Sequence, residues 1–283
     1  MSYPQALVRQ YSTADWSEYD IISAFSSRTD WIHPLLNTTT SQTRGGIDVQ
    51  TTVTHELIHG LGLVSLWSRV MQGEDEWLLT PPYNLDTKRR LDKRWKSWLP
   101  LSSFDHLLYD TESKTALSAY SAIIRAHSFK RVKEQKLYRK LHRHSTIRQA
   151  TDKLRKAVES PFGVLLVLPG SLVPTLPSPL FTDNTTQVLE SYSRKGVFFI
   201  HTEDRYQPGT TLSHLHQIYS EYDGLLTPYS SGNHTISLDM IRILEAVGWA
   251  RSEKDSLRSL VINQSTRILV PPLFLLVIAI MNI

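Results

Sequence analysis

The sequence predicts an α+β fold, and three observations predict it. Five residues, His55-Glu56-Leu57-Ile58-His59, begin a short helical segment that Gly60 and Gly62 bring to an early end. Two runs, residues 47–53 and 162–168, are rich in β-branched or aliphatic side chains and read as strands, the first alternatively as the approach to the helix. A basic stretch, Arg125 to Lys156, places Leu137 and Leu141 at helical spacing. With 283 residues, 41% of them hydrophobic, the chain can bury an ample core, as one large domain or as two lobes around a cleft.

Residues 1–45 are polar and mixed, and read as strands and loops of an upper lobe. In 46–66 a strand leads into a helix. Ile47-Asp48-Val49-Gln50-Thr51-Thr52-Val53 is nearly free of breakers, and Thr54 suits an N-cap directly before His55. Residues 77–120 form a Trp-rich insert with a turn at Pro81-Pro82. From Arg125 to Lys156 the chain is densely basic, and Leu137 and Leu141 at helical spacing predict amphipathic helix, broken near His144-Ser145. The strand predicted at Phe162-Gly163-Val164-Leu165-Leu166-Val167-Leu168 runs into a connection through Pro169, Pro174, Pro177 and Pro179. No internal repeat is visible. The expected organisation is a catalytic lobe at 1–66, an insert at 67–187, a lobe completing the site at 188–251, and a spacer with hydrophobic tail at 252–283.

The chemistry begins at His55 and His59. Residues four apart share one helix face, so two imidazoles converge on one point and Glu56 stands beside them where a water would be activated. Gly62 lies where the chain must turn sharply if a third ligand is to arrive from elsewhere. Ser65 stands where the compact metzincins, which this motif resembles, carry a short-range third histidine, and that resemblance implies a distal third ligand here. Glu74 and Glu76 are acidic rivals, but they suit a longer second helix than this glycine-terminated segment allows. His214 and His216 are both available from the distal block.

That distal block consists of Gly209-Thr210-Thr211-Leu212-Ser213-His214-Leu215-His216, then Leu225-Leu226-Thr227-Pro228, then Ile236-Ser237-Leu238-Asp239-Met240-Ile241-Arg242-Ile243-Leu244-Glu245-Ala246-Val247-Gly248-Trp249. Together with His55-Glu56-Leu57-Ile58-His59-Gly60-Leu61-Gly62 it resembles the leishmanolysin-like metzincins, and is similar still more closely to uncharacterised fungal cell-surface proteins of that type. The resemblance covers about half the chain, in two blocks. It implies a zincin fold with a mixed twisted sheet, an active-site helix, a helical C-terminal lobe and a cleft between lobes. It also implies a Zn²⁺ endopeptidase acting on peptide or protein substrates, with His55, His59 and His214 as metal ligands, Glu56 as general base, Gly62 ending the helix and Leu226 at the Met-turn position. His214 is favoured over His216 because it follows Ser213 as in the family. Two departures stand out: Leu226 replaces a methionine, and the chain has no cysteine where leishmanolysins are rich in disulfides.

The remaining features bear on partners and location. A formal net charge of +4 decides little, and the basic run reads as a solvated helix face; without interleaved aromatics it predicts no nucleic-acid partner. Residues 268–283 carry no charge and are mostly aliphatic, which predicts membrane attachment through a tail anchor or a lipid-anchor signal, with Asn263 or Ser265 as attachment site. A buried terminal strand or helix is the other reading of that tail. The first 24 residues lack a secretory signal pattern, so surface anchoring requires a leader upstream of Met1. Asn37, Asn184, Asn233 and Asn263 head glycosylation triplets, and the expected location is the cell surface or secretory pathway. A catalytically silent zinc-binding adhesion or ligand-binding protein of the same fold, and a zinc-free globular protein with exposed histidines, are the alternatives.

Overall fold

The structure is a computed structural model, which describes residues 21–26, 28–29, 31–32, 46–72, 76–86, 93–129, 132–176, 185–203, 206–220, 224–228, 236–249 and 276–281. Glu74, Lys130, Arg131, Pro177, Pro179, the four glycosylation triplets' asparagines, Ser265 and most of residues 1–45 lie outside these. By backbone contacts the chain divides into two compact units. The described residues from Val64 to His216 form one, and those up to Leu63 together with those from Gln217 onward form the other.

In the second of these units, β1 (Ile21–Ser26) pairs in parallel with β11 (Leu276–Met281), and β2 (Trp31–Ile32) pairs in parallel with β3 (Ile47–Asp48). Helix α1 (Val49–Gly60) follows β3 directly, and α6 (Leu238–Val247) closes the unit. Ser237 caps α6 by accepting from the Met240 amide at 3.0 Å, and Met240, Ile243 and Val247 form its buried stripe. The apolar stretch at the end of the chain therefore contributes a strand over Leu276–Met281, and among the described residues no helix is long and apolar enough to cross a membrane.

The unit from Val64 to His216 is built on a three-stranded antiparallel sheet in the order β10 (Val197–Phe199), β9 (Val164–Val167), β8 (Leu108–Asp110). β9 lies at its centre, and all four of its residues are buried, as an unbroken aliphatic run predicts for a strand covered on both faces. The hairpin β4 (Ser68–Gln72)–β5 (Glu76–Thr80) packs against α3 (Glu134–Arg143) and α4 (Ser145–Val158). Helix α2 (Leu117–Arg125) packs on α4 and β8, and α5 (Thr185–Arg194) on β10.

The Trp-rich insert is the antiparallel pair β6 (Tyr83–Asp86)–β7 (Arg94–Trp98), entered through Pro81-Pro82. Its Trp95 and Trp98 pack edge-on to each other at 5.6 Å and against Phe129. The basic segment is two helices broken at His144. Leu137, Leu141, Ile147 and Leu154 face inward, while Lys136, Arg139, Lys140, Arg143, Arg148, Lys153 and Lys156 are exposed.

Helices and small sheets together match the α+β expectation. The expected mixed twisted sheet is divided: among the described residues the strands form five small sheets of two or three strands each. The stretch 47–53, expected as a strand or as the approach to the helix, is mostly the start of the helix itself. Only Ile47–Asp48 is extended, and the helix begins at Val49, six residues before His55. The N-cap is Asp48, not Thr54. Asp48 Oδ1 accepts from the Thr51 amide at 2.7 Å and from Thr51 Oγ1 at 2.9 Å, while Thr54 sits inside the helix and its hydroxyl donates back to the Gln50 carbonyl. A good cap thus overrides the weak strand preference of β-branched residues.

Candidate metal centre

Helix α1 presents the first two imidazoles and then stops abruptly. Leu61 is the C-cap, and Gly62 follows with φ 111°, a backbone angle that a side chain strains to reach. The Gly62 amide donates to the His59 carbonyl at 3.0 Å and the Leu63 amide to the Ile58 carbonyl at 3.3 Å, the two bonds of a Schellman turn. That turn brings the Leu63 carbonyl back over the helix, where it accepts from His59 Nδ1 at 2.7 Å. Trp249, following α6, donates from Nε1 to the Leu61 carbonyl at 2.7 Å, so the last residue of the C-terminal block fixes the helix end.

His55 is oriented in the same manner. Its Nδ1 donates to the Leu225 carbonyl at 2.6 Å, from the 3-10 turn Gly224–Leu226. His214 is buried, and its Nδ1 donates to the Thr210 carbonyl at 2.9 Å. A carbonyl can only accept, so each Nδ1 bears the proton and each Nε2 keeps its lone pair. The ligating atoms of the three rings lie within 4.8 Å of one another, close enough to bind a metal ion, and no other such group occurs among the described residues.

The rings of His55 and His59 meet edge to face, and their Nε2 atoms are 3.1 Å apart. Two lone pairs at that separation repel unless a cation stands between them. The distance also suits one ion: two nitrogens at about 2.0–2.1 Å from a tetrahedral zinc are about 3.3 Å apart. Burial lowers the pKa of His59 to about 4, the neighbouring His55 adding to the effect and the Leu63 carbonyl opposing it. At neutral pH the ring is therefore neutral, the form that ligates. The donor set fits a transition-metal ion by geometry and by tautomer.

Glu56 lies one residue beyond His55 on α1 and is exposed. Leu226 is fully buried in the turn whose preceding residue orients His55. His216 stands apart from the triad. Its ring packs on Phe162 with centroids 4.2 Å apart and faces His201 at 6.3 Å, and burial followed by the His201 charge lowers its pKa to about 4. Of the two rivals, His214 is the one brought to His55 and His59. Glu76 is an exposed residue of β5 opposite Gln72 and is not part of the group.

Backbone acceptors escaped the sequence reading altogether. The Leu63, Thr210 and Leu225 carbonyls orient the three rings, and a carbonyl leaves no trace in residue type. Asp105 also went unremarked. It is buried without a charged partner among its donors, and no motif surrounds it.

A family model described as SPBPB7E8-like matches residues 1–87, under a third of the chain, a stretch that includes the whole of α1 with His55 and His59. Over that stretch the chain is similar to that family; His214 and Leu226 lie beyond it. No curated protein and no solved structure matches the chain.

Proposed function

We propose that the chain is a zinc-dependent endopeptidase of the metzincin type that uses Glu56 as general base. The observation that carries this reading is the convergence of three Nε2 lone pairs, each fixed by a carbonyl on the opposite ring nitrogen. Three neutral imidazoles with no thiolate or carboxylate suit Zn²⁺, and three protein ligands leave its fourth position open, the hallmark of a catalytic rather than a structural site. A bound zinc ion supplies Lewis acidity, drawing the pKa of a water toward neutrality and polarising a carbonyl.

The chain's own residues do the rest. The carbonyls that accept from Nδ1 of His55, His59 and His214 fix each ring's tautomer and orientation, leaving Nε2 as the ligating atom. The Glu56 carboxylate takes a proton from the attacking water and returns it to the leaving amine, as a general base that becomes a general acid. Its exposure leaves it open to both water and an incoming peptide. Leu226 supports the floor under the imidazoles with an aliphatic side chain in place of a thioether.

Metal content and peptide cleavage test this together. Purified protein should hold one zinc per chain, His214→Ala should release it, and His216→Ala should not. Glu56→Ala should keep the metal and lose cleavage of a peptide library by several orders of magnitude. Cleavage undiminished in Glu56→Ala would end the mechanism. Stoichiometric metal with no turnover in the parent protein would select the catalytically silent zinc-binding reading, which the replacement at Leu226 favours.

A further inference from the structure

We infer that Asp105, acting through Ser65, is a positioning residue for the third metal ligand, His214. The inference rests on the metal-site reading above and extends it to residues outside the ligand set. The amide and the hydroxyl of Ser65 are both committed. Its amide donates to Ser213 Oγ at 3.2 Å, and its hydroxyl donates to Asp105 Oδ1 at 2.8 Å. Ser213 immediately precedes His214 in the chain and is itself buried.

Asp105 is fully buried at the start of the 3-10 turn Phe104–Leu107. Its Oδ2 accepts from the Leu66 amide at 3.1 Å, the Ser102 amide at 3.1 Å and Ser102 Oγ at 2.8 Å. A carboxylate is an acceptor on every side, so it can gather four donors that an amide or hydroxyl would partly repel. The consequence is a fixed path for residues 64–66. That path continues directly from Leu63, whose carbonyl orients His59, and it ends at the hydrogen bond to Ser213.

The His214 segment needs such a hold. Leu212, two residues before the ligand, has φ 71°, a left-handed angle unusual for a branched side chain, and it is fully buried. Two backbone bonds bracket the segment, Leu212 amide to His201 carbonyl at 3.2 Å and His201 amide to His214 carbonyl at 2.8 Å. The Ser65–Ser213 bond is the side-chain contact that ties it to the residues following α1's turn. A strained segment held at one more point has less freedom to carry its imidazole away from the other two.

The test uses the full chain, with zinc affinity read by chelator competition, the Co²⁺ visible spectrum as a report on ligand geometry, and the urea midpoint of the metal-free protein. Ser65→Ala and Asp105→Asn should each weaken zinc binding about 10–100-fold and alter the Co²⁺ bands, as loss of a residue that orients a ligand does, and Ser65→Thr should restore both. If Asp105→Asn fails to fold, Ser65→Ala decides, since it leaves the carboxylate three of its donors. A Ser65→Ala protein that is less stable yet binds zinc and Co²⁺ as the parent does would reduce the network to packing and overturn the inference. Parent protein that binds neither ion overturns the metal-site reading as well, an outcome distinct from intact parent binding with an unaffected variant.

Discussion

At the scale of single residues, protonation sets the first limit on this protein. His59 and His216 both have folded pKa values lowered to about 4 from an ordinary 6.5, in each case chiefly by burial. A lowered folded value means the unfolded chain binds protons first as pH falls. Stability is therefore full above pH 6.5 and is lost progressively toward pH 4. Each group contributes on the order of 1–3 kcal/mol at most, less where water screens it. In chelator-treated protein the urea midpoint should fall between pH 7.5 and 5, and His216→Gln should flatten that fall; an unchanged slope in the variant rules out the contribution of His216. Leu226 gives a second residue-level expectation. Introducing a thioether with Leu226→Met conserves volume in a fully buried position, so stability should change by less than about 1.5 kcal/mol and zinc affinity by little. A larger loss measured by urea denaturation would mean that the buried space at residue 226 is shaped for leucine in particular.

At the scale of elements, α1 shows what the sequence makes legible and what it does not. Its histidine-bearing side is legible because helical periodicity brings His55 and His59 together whatever the helix's exact length. Its end was readable because Gly62 suits a position that demands positive φ. Its beginning was not, since residues 47–53 have the composition of a strand and only the Asp48–Thr51 bond reveals that they start a helix. The break at His144 and the central strand β9 followed directly from apolar spacing, whereas Asp105 could not be found, because a lone buried carboxylate has no pattern. Both ends of α1 can be tested. Asp48→Ala should cost about 1 kcal/mol through the lost cap. Gly62→Ala should cost about 1 kcal/mol or more, because alanine resists φ 111°. The two should differ in their effect on metal, since only Gly62 shapes the turn that delivers the Leu63 carbonyl to His59. Equal zinc affinity in the Gly62→Ala variant and the parent would separate the turn from the site.

At the scale of the whole molecule, the ligand set joins histidines from opposite halves of the sequence, and a chain without cysteine has no covalent bond to hold them together. A metal that binds only when all three rings are in place binds the folded state alone, so it stabilises that state by mass action. With free zinc at one hundred times its dissociation constant the gain is about 2.7 kcal/mol, which raises Tm by roughly 5–10 °C in a chain of this order. Scanning calorimetry with and without a chelator should show that shift in the parent protein. In His214→Ala the shift should largely vanish, because two imidazoles alone hold the ion too weakly to bias the chain toward its folded state. Glu56→Ala, which touches no ligand, should keep the full shift while losing hydrolysis. A His214→Ala protein that gains as much from zinc as the parent would show that α1 alone provides the stabilising site, and that the distal histidine is a neighbour of the metal and not a ligand to it.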